Sequence, residues 1–145
     1  MTATSDVTCV SDDDRTALTD TVTRFVRAEI APHVDAWDAA GEFPRSLYRR
    51  AADLGLLGLG YPEQYGGTPA SYALRLPLWR ALSRHGASGG VLASLFSHNI
   101  GLPPVLAHGS DAVRAEVIPP VLAGEQIAAL AITEPGGGSD VAQLR

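Results

Sequence analysis

Apolar residues recur at three- and four-residue steps near the front of the chain. Leu18, Val22, Phe25, Ile30, Val34 and Trp37 form one stripe on a helix of 3.6 residues per turn. Ser11 stands just before it as a cap, with Asp12, Asp13 and Asp14 against the positive end of the helix dipole. Pro32 has no amide hydrogen and disfavours helical geometry in the residue before it, so a kink or break is expected near Ala31. The helix should finish by Gly41. Pro44 suits the first turn of a second helix with Leu47, Ala51 and Leu54 on its buried face. Gly55 followed by Leu56 reads as a left-handed cap with its apolar contact.

After a glycine-rich connection, Leu56 to Gly67, a third helix is expected over Ser71 to His85 with Leu74, Leu78, Trp79 and Leu82 inward. Pro77 lies inside it, and an interior proline costs roughly 3 kcal/mol, so distortion is expected there. Val91 to about Leu102 reads as a fourth helix bearing Leu92, Leu95, Phe96 and Ile100, bent or ended by Pro103 and Pro104. Ser110 and Asp111 open a fifth, with Val113, Val117 and Ile118 apolar and Pro119-Pro120 disturbing its end. Gly124 closes the helical region, and Gln126 to Thr133 reads as a strand. The expected fold is therefore mostly α: a helical domain over residues 1–125 with about five helices, then the first strand of an incomplete β domain over 126–145. A lone strand has no ladder partner for its backbone groups, so its neighbours belong to a continuation of the chain or to another chain.

Composition narrows the picture. The 145 residues are 46% apolar and 19% charged, which suits a soluble globular domain and not a disordered tail. The net charge is −5, and the eleven basic residues are all arginine and scattered, which speaks against a nucleic-acid surface. Cys9 is the single cysteine and reads as an incidental thiol, so no internal disulfide can form. His33, His85, His98 and His108 lack metal-ligand spacing, and no metal is expected. Met1 to Ser11 lacks the basic and apolar blocks of a signal peptide. Ala87 to Ala107 contains His98, Asn99, Pro103 and Pro104, too polar and broken for a membrane span. A cytoplasmic location is the expectation.

The chemistry concentrates in the last sixteen residues, LAITEPGGGSDVAQLR from Leu130 to Arg145. An apolar stretch runs into Thr133-Glu134-Pro135, three glycines and Ser139-Asp140. Glycine tolerates positive φ and lets a ligand approach the main chain, and successive turn amides can form a concavity for an anion. Thr133 and Ser139 add hydroxyls at either end.

This string resembles the flavin-contacting signature of the acyl-CoA dehydrogenase family, a Thr-Glu-Pro-Gly-Ala-Gly-Ser-Asp run, with Gly137 in place of the commoner alanine. Three further segments carry the resemblance: FVRAEIAPHVDAWDAAGEF (25–43), LGLLGLGYPEQYGG (54–67) and GSDAVRAEVIPPVLAGE (109–125). Pro77 in the third helix departs from the family pattern. The resemblance implies an N-terminal helical domain, then a small β domain and a C-terminal helical bundle, with FAD between the latter two, often in an oligomer. It implies an acyl-CoA substrate, oxidised to the trans-2-enoyl-CoA, and a catalytic glutamate in the C-terminal bundle.

Carried onto this sequence, Leu130, Ile132 and Thr133 line the flavin ring, Gly138 belongs to the same loop, and Ser139 approaches the FAD pyrophosphate and the CoA portion of the substrate. Glu134 is not the family's base, and no residue here is a candidate for that role. His98, with Asn99, lies where an acyl tail often reaches in the family but reads first as a satisfied helix histidine, and Phe96 and Leu102 could line an acyl pocket but at helical spacing are core residues first. The chain alone is expected to be inactive. The alternatives are a non-catalytic helical subunit completing a heteromeric flavoenzyme, or part of a related flavin monooxygenase or oxidase.

Overall fold

Seven α-helices follow one another through the described residues, 11–143, of the computed structural model. The first, α1 (Asp12–Phe25), opens as expected: Ser11 Oγ accepts from Asp14 N at 3.0 Å, and Asp14 Oδ2 accepts from Ser11 N at 3.3 Å. This reciprocal box satisfies two otherwise orphaned amides. Ahead of Pro32 the chain leaves α1 through a π-helical turn, Val26–Ile30, with Val26 and Ile30 fully buried. The break falls at residues 31–33, and α2 (Val34–Ala40) ends on left-handed Gly41. Cys9 and the rest of the first ten positions lie outside the described residues.

Helix α3 (Ser46–Asp53) buries Leu47 and Ala51 but not Leu54, which is 45% exposed; Tyr48 is buried in its stead. Leu54 is already the cap residue, at φ −88° and ψ 3°, Gly55 then turns the chain at φ +71°, and Leu56 N bonds Ala51 O at 3.0 Å. The connection that follows is packed, not loose. Leu57 and Leu59 are buried, and Gly67 lies so close to the Tyr61 backbone that a Cβ there would overlap it. Helix α4 (Tyr72–Arg84) then runs through Pro77 unbroken. A proline in the second turn deletes one helical hydrogen bond, and the burial of Leu78, Ala81 and Leu82 against α1 outweighs it.

The expected fourth helix is two: α5 (Gly89–Leu95) and α6 (His98–His108), separated by a turn at Phe96–Ser97. Pro103 and Pro104 do not end α6. They are exposed, and the carbonyls they leave without donors belong to the partly exposed Asn99 and the exposed Ile100, where water can serve instead. Likewise α7 (Asp111–Leu122) runs through Pro119 and Pro120, capped by Ser110 Oγ on Val113 N at 3.3 Å. The stretch Gly89–His108 is long and apolar enough to cross a membrane by length and composition. The turn at 96–97 interrupts it, and Leu95, Phe96, His98 and Leu102 are buried inside the helical domain.

Two apolar clusters hold these helices. The larger joins α1, α3, α4 and α5 through Val22, Phe25, Leu47, Ala51, Leu78, Leu82 and Leu95. The smaller joins α6 and α7 through Leu102, Ile118, Val121 and Leu122 around Tyr61. Residues 126–133, expected as a strand, have no regular secondary structure. Among the described residues no other segment pairs with them, and a strand without a ladder is not held in that form.

Candidate functional site

The terminal segment leaves the helical domain under close control. Gly124 closes α7 at φ +70°, tight against the Tyr48 and Arg49 backbone. Pro120 O accepts both Glu125 N (2.9 Å) and Gln126 N (3.1 Å), and Arg45 reaches Glu125 O at 3.4 Å. Ala128 packs on the α6–α7 cluster, and its carbonyl accepts from Ser97 Oγ at 2.8 Å. Beyond it the chain opens outward: Leu130 is 46% exposed and Ile132 38%.

Glu134 and Gly137 then exchange backbone hydrogen bonds of 2.9 and 3.1 Å, closing a two-residue turn on Pro135-Gly136. Proline presets φ at the first turn position. Of the two uses the sequence offers for the three glycines, positive φ is not one this turn takes. None of Gly136, Gly137 and Gly138 has a positive φ, so the turn is not the type II form that demands glycine. What the glycines provide is access. A Cβ at Gly136 or Gly137 would meet no atom within 4 Å, whereas one at Gly138 would lie 3.2 Å from Thr133 Cγ2. The structure therefore brings Thr133 and Gly138 together, with Ser139 exposed beside them and Leu130 and Ile132 leading in.

This is an open face. The cleft of about 680 Å³ lined by Arg15, Leu76, Pro77, Arg80 and Arg84 lies away on α1 and α4. A second cleft, about 370 Å³, lies between Trp37, Phe43, Tyr48 and Ser94 and touches the terminal segment only at Ile127. Neither includes Leu130, Ile132, Thr133, Gly138 or Ser139. Among the described residues no group of three His, Cys, Asp or Glu side chains could hold a metal. A flat aromatic ring with a polar edge needs apolar surface beside hydroxyl and amide groups. Exposed Leu130 and Ile132 next to Thr133 and a bare glycine turn meet that need on one side.

His98 belongs to the core. It is 3% exposed, and its Nε2 lies 2.9 Å from Leu57 O, so the ring donates from Nε2 because a carbonyl can only accept. Tyr61 OH donates to His98 O at 3.2 Å, close to Asn99 Oδ1. Phe96 packs edge-on against Trp79 at 4.8 Å, and Leu102 is fully buried. Burial lowers the His98 pKa, against the carbonyls of Leu57 and Leu95, which favour the protonated ring; Arg75 lowers it further. Burial also raises the phenol of Tyr61.

A lowered folded pKa means that the unfolded chain binds more protons between that value and the ordinary 6.5. The His98 contribution is thus fully present above pH 6.5 and is lost as pH falls through the folded value. Urea unfolding from pH 5 to 8 should show a stability rise with pH that His98→Gln, which keeps a donor in place of Nε2, lacks. Identical pH profiles would refute the assignment.

Sequence reasoning missed Ser97. Its hydroxyl bonds a carbonyl 31 residues away, and no local pattern signals such a contact.

Comparison with known proteins agrees with this geometry. Residues 12–125 match the family model described as acyl-CoA dehydrogenase, N-terminal domain. Mitochondrial isovaleryl-CoA dehydrogenase of Oryza sativa subsp. japonica is 36% identical over 137 residues, covering 92% of this chain and 33% of that protein. A solved structure from Mycobacterium smegmatis assigned to an acyl-CoA dehydrogenase superposes with a TM-score of 0.87 at 46% identity, over 94% of this chain and 35% of that one. An acyl-CoA dehydrogenase from Bacillus anthracis, solved with FAD, superposes with a TM-score of 0.75 at 28% identity, over 90% of this chain and 23% of that one. The chain thus spans about a third of the length of the curated relatives it matches. With helices, glycine turn and overall match in agreement, the chain belongs to the acyl-CoA dehydrogenase family and carries its N-terminal helical domain.

Proposed function

We propose that this chain supplies the helical domain and one wall of the flavin site of an FAD-dependent acyl-CoA dehydrogenase. The reaction is α,β-dehydrogenation of an acyl-CoA thioester to the trans-2-enoyl-CoA. The carrying observation is the open turn after the half-exposed Leu130 and Ile132, where Thr133 and Gly138 meet beside two glycines with nothing against them. When bound, FAD supplies the hydride-accepting chemistry. The chain's part is positional. Leu130 and Ile132 offer apolar contact, the Thr133 hydroxyl a polar edge, and Ser139 a donor toward phosphate oxygens.

The opposite wall, the α-proton base and the strands that pair with 126–133 come from further residues, in cis or on a partner chain. An oligomer suits such a shared site, and a cytoplasmic location belongs to the same reading. Exposed Ile127, Leu130, Ile132 and Val141 favour this arrangement, because apolar positions along one short segment need a cover.

Flavin absorbance and enoyl-CoA formation test the proposal. The purified chain should hold no stoichiometric flavin and form no enoyl-CoA from a panel of acyl-CoAs, whereas the chain joined by the missing domains should do both. Stoichiometric flavin and turnover by the chain alone would overturn the shared-wall arrangement. An assembled protein that takes up no flavin would overturn the flavin reading.

A further inference from the structure

Five serines, Ser11, Ser71, Ser88, Ser97 and Ser110, stand immediately before helices α1, α4, α5, α6 and α7, and Ser71 makes no side-chain hydrogen bond to its helix. Ser11, Ser88 and Ser110 use the hydroxyl for the usual purpose and accept from a backbone amide three residues on, at 3.0 to 3.3 Å. Ser97 does not cap α6. Its hydroxyl donates instead to Ala128 O at 2.8 Å, in a half-buried setting, across 31 residues of chain.

One helical turn further along the same face, Gly101 receives the segment. A Cβ on Gly101 would lie 3.5 Å from Ala128 Cβ and 3.6 Å from Ala129 N. That is ordinary contact for a methyl and leaves no space for a γ carbon. Ser97 and Gly101 together fix the height and register of Ala128 and Ala129 against α6. The polar latch holds one backbone carbonyl, and the bare turn admits the backbone beside it.

We infer that Ser97 is a positioning residue for the flavin wall, acting through the Ala128 carbonyl on Leu130, Ile132 and Thr133. The inference rests on the flavin reading given above and deepens it. An extended residue advances about 3.3 Å, so Thr133 lies within five residues of the latch. Residues 129–133 have no ladder among the described residues to hold them once the latch opens. Loss of one hydroxyl would then let the wall drift while the helical core, which does not include it, stays closed.

The test compares Ser97→Ala with Ser97→Thr, which keeps the hydroxyl. In the chain itself, cleavage within 128–133 by a nonspecific protease should quicken in Ser97→Ala by about fivefold, the weight of one net hydrogen bond, and return to normal in Ser97→Thr. In the assembled flavoprotein, the FAD dissociation constant should rise by about the same factor, with an altered visible flavin band, again restored by threonine. Gly101→Leu, which forces the segment off α6, should have a like effect, and Gly101→Ala should not. Unchanged cleavage in Ser97→Ala would overturn the latch. Faster cleavage with unchanged FAD affinity and spectrum would reduce Ser97 to a structural tie and overturn the positioning role. Failure of the wild-type assembly to bind FAD would instead overturn the flavin reading, and the positioning role with it.

Discussion

Gly124→Ala should destabilise the chain by about 2–5 kcal/mol, although it adds a single methyl group. Two independent costs meet at this residue. Its φ of +70° is left-handed, which costs a residue with a Cβ about 1–2 kcal/mol. The new Cβ would also lie 2.5 Å from Tyr48 O and 2.8 Å from Arg49 N. Both are backbone atoms of α3, so neither can swing aside as a side chain would, and overpacking of that kind costs about 1–3 kcal/mol. The midpoint of thermal unfolding should fall by on the order of 10 °C. Gly136→Ala is the control: its φ is not positive and its Cβ would meet open space, so a change within about 0.5 kcal/mol is expected. Equal effects of the two substitutions would show that the seat of Gly124 against α3 is not what fixes the exit of the terminal segment.

Leu82→Ala should cost a comparable amount, about 2–5 kcal/mol, by a different route. Leu82 is fully buried in the cluster where α4 meets α1. Truncation there loses transfer free energy and leaves a cavity that helices anchored on both sides cannot collapse into. Against a total stability of about 5–15 kcal/mol, this places the variant near the edge of folding. Ile100→Ala removes a similar apolar side chain from a position that is 65% exposed, and should stay within about 0.5 kcal/mol. Urea unfolding of the two variants decides between burial and residue type. Similar losses at both sites would contradict the core drawn here.

The helices were legible where a local rule governs them. Ser11 with its aspartates, Ser110, Gly41 and Gly55 all act as their residue types suggest, because caps and left-handed turns are settled within four or five residues. Pro32 broke its helix as expected. Pro77, Pro103, Pro104, Pro119 and Pro120 did not, because local cost was set against burial or solvent access that lies elsewhere in the fold. The turn at Phe96–Ser97 was illegible for the same reason. It sets His98 within reach of Leu57 O and Ser97 within reach of Ala128 O, partners 41 and 31 residues away.

By itself, then, the sequence determined the mostly helical class, the family through its four ordered segments, and the terminal glycine turn as the place of interest, since each of these is written in short-range pattern. Tertiary structure alone decided that the three glycines do not take left-handed geometry, that His98 Nε2 meets Leu57 O in the core, and that Ser97, just before α6, holds the Ala128 carbonyl. These outcomes depend on which distant groups share a space, and a linear pattern of polar and apolar residues does not encode that distance.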